Sequence, residues 1–137
     1  MAVPIGGKID LHYGEQTLVT GHVVAITDGA FKIIGPMTAG MPVDMGPAVV
    51  LWVRGIDIVI SSERFQAYDT NYLKHANIYL RKKDVVSVKS AHHFRAAYAP
   101  FASEIIVVDG GRGLTSRNYK ELNYTKVREP VSPLHLD

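Results

Sequence analysis

Val85-Val86-Ser87-Val88-Lys89-Ser90-Ala91-His92-His93-Phe94-Arg95 is the stretch that decides the fold class of this chain. Its β-branched start reads as a buried strand over residues 85–88 that stops at Lys89. Ser90 then stands where a helix cap is needed, opening a helix from Ala91 to about Ala99. Phe94, Ala97, Tyr98 and Phe101 recur at spacings that place them on one face of that helix. Upstream, residues 56–60 read as a strand, and Asp69 serves as N-cap of a short helix through about His75. Downstream, residues 104–108 are apolar after Glu104. The order is therefore β-α-β-α-β, which implies right-handed crossovers and a partly parallel sheet.

The first half is β in character. Residues 17–26 are rich in Val and Thr, Asp28-Gly29 is a hairpin turn signal, and residues 30–34 return. The Gly- and Pro-rich residues 35–47 lack periodicity and read as an ordered surface loop. Residues 48–53 and 56–60 flank Arg54-Gly55, the signature of a second tight hairpin. The expected fold class is thus mixed α/β, with antiparallel hairpins first and a β-α-β-α-β unit with a partly parallel sheet second. The proline-bearing tail from Asn123 onward reads as extended and packed along the surface.

Composition sets the outer limits. A chain of 137 residues fits one domain, and at this size about 68–70% of the unfolded surface is buried on folding. The absence of cysteine excludes disulfides, thiolate metal ligands and a cysteine nucleophile, and fits a cytoplasmic setting. A net charge of +2 does not point to nucleic acid, and Arg81-Lys82-Lys83, followed by Asp84, reads as a solvated turn. The first residues lack the charged and apolar regions of a signal peptide. The most apolar window, 47–60, is interrupted by Arg54, Gly55 and Asp57, so no membrane span is expected.

All three strands expected in the second half end in polar or flexible residues: Ser61-Ser62-Glu63-Arg64, Lys89-Ser90, and Asp109-Gly110-Gly111-Arg112-Gly113. Parallel strands would bring these ends to one rim, where open α/β sheets bind ligands. Lys89, Ser90, His93 and Arg95 are the leading candidates for binding a carboxylate, phosphate or carbonyl group there. His92 and His93 are adjacent, so they point about 100° apart on a helix and cannot chelate one ion from one face. No HExxH arrangement, nucleophile elbow or convincing carboxylate pair is present; Glu63 and Asp69 have no fixed separation. His12 and His22 sit in β or turn context and read as structural or exposed. Gly110-Gly111-Arg112-Gly113 lacks the lysine and spacing of a phosphate loop and reads as a turn.

Several strings together resemble the C-terminal domain of the microcystinase C (MlrC) family of zinc metallopeptidases, over nearly the whole chain. They are Gly6-Gly7-Lys8, Asp44-Met45-Gly46-Pro47, Ile58-Val59-Ile60-Ser61-Ser62-Glu63-Arg64 with Gln66 and Asp69, Val107-Val108-Asp109, and Gly113-Leu114-Thr115-Ser116. The most specific is Lys89-Ser90-Ala91-His92-His93-Phe94-Arg95-Ala96-Ala97. Gly110-Gly111-Arg112 departs from the shorter threonine-proline turn common in that family.

The resemblance implies a single domain over residues 1–137 that begins almost where the family's domain begins. It also implies an N-terminal catalytic domain or subunit as partner. That partner would carry the zinc ligands, so no cofactor or metal ligand is assigned to this chain. The domain would then be accessory, shaping the substrate cleft with Lys89, Ser90, His93 and Arg95, with Arg64, Gln66 and His92 at the rim. Activity of the isolated domain is not expected. A stand-alone small-anion binding module, or an interaction domain that self-associates, is the alternative.

Overall fold

A computed structural model describes residues 1–7, 14–108 and 124–132. The chain divides into two compact units, Met1–Ile105 and Ile106–Asp137. Every strand and helix among the described residues lies in the first unit. The strands among the described residues are β1 (Ala2–Ile5), β2 (Thr17–Thr20), β3 (His22–Thr27), β4 (Ala30–Lys32), β5 (Pro42–Asp44), β6 (Ala48–Val53) and β7 (Ile56–Ser61). Two one-turn helices follow, α1 (Asn71–Lys74) and α2 (Arg95–Tyr98), with 3₁₀ turns at Leu80–Lys82 and Ala99–Phe101.

The largest sheet has the order β3-β6-β7, and both of its ladders are antiparallel. Arg54 and Gly55 form the two-residue β6–β7 turn, both at positive φ (48° and 93°), as a type I′ hairpin requires. The second hairpin is therefore as expected. The first is not: β3 pairs with β6, and β4 pairs with β5. Two glycines redirect the chain. Gly21, buried between β2 and β3, approaches the Trp52 carbonyl so closely that a Cβ would lie 2.5 Å from its oxygen. Gly29 has φ +76°, and a Cβ there would fall 2.0 Å from the Gly46 carbonyl oxygen. Asp28 Oδ1 accepts from the Ala30 amide at 3.0 Å, so the Asp-Gly pair turns the chain toward β5 instead of folding it back on β3.

The expected 35–47 loop is likewise partly core. It contains β5, and Met45 is completely buried with Ile33, Val43 and Tyr68. A second cluster joins Val50 of β6 to Leu73, Ala76, Ile78, Ala97 and Tyr98. Burying each such large aliphatic side chain stabilises the fold by about 1.5–3 kcal/mol.

The β-α-β-α-β unit differs most from expectation. Every ladder among the described residues is antiparallel, and residues 85–88 and 104–108 enter none. Val85 and Val108 are each 85% exposed, so these β-branched runs have no sheet edge to bury against within the described chain. Mixed strand and helix content holds, but the sheet is antiparallel where it is described. The helix expected over 91–99 shortens to one turn. Phe94, Ala97 and Tyr98 do share its inner face, whereas Pro100 removes an amide donor, the chain rewinds as a 3₁₀ turn, and Phe101 is left 48% exposed. The helix expected to be capped by Asp69 is one turn, Asn71–Lys74, with Thr70 and not Asp69 at its N-cap; its C-cap is His75, close to the expected end. Residues 124–132 hold no helix or strand, and no helix among the described residues is long and apolar enough to cross a membrane.

Gly29 and Gly55 test the two kinds of constraint. Gly55→Ala meets open space and carries only the left-handed backbone penalty, about 1–2 kcal/mol. Gly29→Ala adds a clash with backbone and is expected to cost clearly more in urea unfolding; equal losses would contradict the packing described.

Candidate substrate-binding site

The site begins with Asp69, whose side chain is fully buried. Its Oδ2 accepts from the amides of Ile34 (3.2 Å) and Gly35 (2.6 Å), and its Oδ1 from the amide of Asn71 (2.8 Å). The Tyr98 hydroxyl donates to the Asp69 carbonyl at 3.0 Å. Asn71 Nδ2 adds a bond to the Lys32 carbonyl at 2.7 Å. One residue therefore ties the end of β4, the start of α1 and the end of α2 together. Gly35 is required here, since a Cβ would lie 2.7 Å from Asp69 Oδ2. Burial, and then the neighbouring Asp69 charge, push the Tyr98 hydroxyl well above the usual tyrosine range, so it stays a donor.

Two segments are held by this knot, 65–68 before Asp69 and 90–94 before α2. Between them Gln66 Nε2 donates to Ser90 Oγ at 2.9 Å, and Gln66 Oε1 meets His93 Nδ1 in a longer contact of 3.4 Å. The Tyr68 ring meets the His93 ring edge-on at 6.5 Å, and its hydroxyl shares a 3.3 Å bond with Thr38 Oγ1. A glutamine oxygen only accepts, so in this contact the donor is His93 Nδ1. Ser90 Oγ, already accepting from Gln66, keeps its own proton for a carbonyl or carboxylate oxygen. The cluster is exposed, and its chemistry is that of binding and orienting a polar group.

Three of the candidates read from sequence, Gln66, Ser90 and His93, are thus brought together. Two others are not part of that network: Lys89 is exposed, and the Arg95 guanidinium lies 5.5 Å over the neighbouring Phe94 ring. Arg64 and His92 are exposed. Ser90 does not cap a helix, because α2 begins only at Arg95 and Ser90 is engaged by Gln66. The helix start expected at Ser90 is therefore absent, and α2 has Phe94 at its N-cap. Tyr68 and Thr38 were not foreseen; nothing in their spacing marks them, and they reach the site through the fold of residues 31–45. His75, expected only as the end of the short helix, stacks on Phe31 at 5.2 Å and takes a structural place beside α1. His22 stands exposed 6.2 Å from the Trp52 ring. His12 and the 110–113 glycine run lie outside the described residues.

No group of three or more His, Asp or Glu side chains among the described residues is arranged to hold a metal ion. The described residues therefore offer no zinc site.

Comparison with known proteins places this architecture. The Sphingomonas sp. protein named microcystinase C is 23% identical over 115 residues, covering 84% of this chain and 22% of that protein. The crystal structure of a "putative metallopeptidase" from Mesorhizobium sp. BNC1 shares the fold with a TM-score of 0.66 at 21% identity, over 74% of this chain and 21% of that one. The chain thus spans about a fifth of the length of these relatives (22% and 21%). The family described as "MlrC C-terminus" matches residues 1–126, and the chain belongs to that family.

Proposed function

We propose that residues 1–137 act as one accessory domain of an MlrC-type metallopeptidase, forming a wall of the substrate cleft beside a separate catalytic domain. The observation that carries this reading is the Gln66–Ser90–His93 network, a polar binding surface without a metal-ligand set among the described residues. Ser90 would donate to a substrate carbonyl or carboxylate, and His93 Nε2 would accept from a substrate N–H. Lys89 and Arg95 would add positive charge from the same segment, and Arg64 and His92 would stand at the rim. Zinc would be held by the rest of the metallopeptidase, and the setting would be cytoplasmic, in keeping with a chain free of cysteine.

The uncovered β-branched runs support the same reading. Val85 in the first unit, and Ile106 and Val108 in the second, are 75–85% exposed, and each run would gain burial from a protein neighbour. Self-association would cover them equally well and is a competing outcome.

Purified chain with added zinc is expected to hydrolyse no peptide, and robust, chelator-sensitive hydrolysis would overturn the accessory role. Trialanine, offering both a carboxylate and peptide carbonyls, is expected to shift the NMR resonances of Gln66, Ser90 and His93. Gln66→Ala releases both neighbours and should weaken that binding by about tenfold. Resonances unmoved by trialanine, or binding unchanged in the variant, would contradict the assignment of these residues.

A further inference from the structure

A concave surface whose lining includes none of the Gln66 network lies within the same unit. It is a trough of about 470 Å³, inside the size range of small-molecule sites. Ile34, Ile78, Leu80 and Phe101 supply its apolar surface. Ile78 belongs to the core cluster and Leu80 packs against it, so the floor is anchored. Ile34 and Phe101 are 57% and 48% exposed, large apolar groups that the core does not use.

Around this apolar surface stand Lys74, Arg81 and Lys82, with no acidic residue among the described lining groups. Two of these cations are ordered on rings that line the same trough. The Arg81 guanidinium lies 5.2 Å from the Phe101 ring centroid, and Lys82 Nζ lies 5.6 Å from that of Tyr79. The neighbouring Lys83 is different, because it pairs with Asp57 and does not line the trough. The basic triplet is therefore split: Lys83 is neutralised, whereas Arg81 and Lys82 are held over aromatic faces without a carboxylate partner among the described residues. The 3₁₀ turn at Leu80–Lys82 produces the split, sending Leu80 to the core and the next two side chains to the rings. A stacked guanidinium keeps its fork of N–H donors for a carboxylate.

We infer that this trough binds a small amphipathic carboxylate, with its apolar body on Ile34, Ile78 and Phe101 and its carboxylate among Arg81, Lys82 and Lys74. The apolar floor disfavours a fully hydrated anion such as acetate, and three cations without a carboxylate partner among the described residues favour an anionic guest over a neutral apolar one. This site uses none of the residues of the proposed cleft wall, so either reading can fail without the other.

Isothermal titration of the full chain with octanoate tests it, with acetate and 1-octanol as controls. Saturable octanoate binding is expected, with no binding of acetate and at least about tenfold weaker binding of octanol. Arg81→Gln and Lys82→Gln, both at exposed positions, should each weaken octanoate by about tenfold, while Lys83→Gln leaves it unchanged. Circular dichroism would confirm that each variant is folded. Absent octanoate binding, equal affinity for octanol, or an equal loss in the Lys83 variant would overturn the proposal.

Discussion

A buried carboxylate without a cation partner among the described residues is the constraint on which the first unit depends. Asp69 accepts three backbone N–H bonds, from Ile34, Gly35 and Asn71, and takes the Tyr98 hydroxyl on its own carbonyl. Hydrogen bonds to a charged acceptor contribute about 1.5–3 kcal/mol each, against the heavy cost of taking the charge from water. The arrangement is stable only as a whole, because a lost donor leaves buried charge unsatisfied. Its structural product is placement. Residues 65–68 and 90–94 are brought together, and the Gln66–Ser90–His93 network follows from their meeting.

Much of the fold was legible where local chemistry decides it. The β6–β7 hairpin follows from two apolar runs separated by Arg54-Gly55, and the inner face of α2 follows from Phe94, Ala97 and Tyr98. Pairing choices over longer range were less legible. Asp28-Gly29 carries a true turn signal, yet the partner of β3 is decided by how closely Gly29 can approach Gly46. Met45 sits in a segment whose glycines and prolines hide its burial, since no periodicity marks a single side chain inserted into a core from a loop. The runs at 85–88 and 104–108 have strand composition, but a strand also needs a neighbouring edge, and composition does not contain that edge.

The candidate site was half legible for a similar reason. Polar residues clustered after a β-branched run drew attention to Ser90 and His93, and the resemblance drew attention to Gln66. Their contact needed Asp69, which reads from sequence only as a helix cap. It does serve the Asn71 amide, but its other oxygen reaches 34 and 35 residues back along the chain to Gly35 and Ile34. The Arg81-Lys82-Lys83 triplet shows the opposite limit. It reads as one solvated turn, and only the turn geometry separates the paired lysine from the two ring-stacked cations.

Asp69→Asn tests the organising role of this residue most directly. One amide oxygen can still accept, but the amide nitrogen must face an N–H donor in place of the second carboxylate oxygen. Urea unfolding of the variant, followed together with the NMR signals of Gln66, Ser90 and His93, is the decisive measurement. The expected result is a loss of about 2–3 kcal/mol with displacement of all three sets of site resonances in the still-folded protein. Stability within about 0.5 kcal/mol of the parent chain, with the site resonances unmoved, would contradict the claim that this carboxylate builds the site.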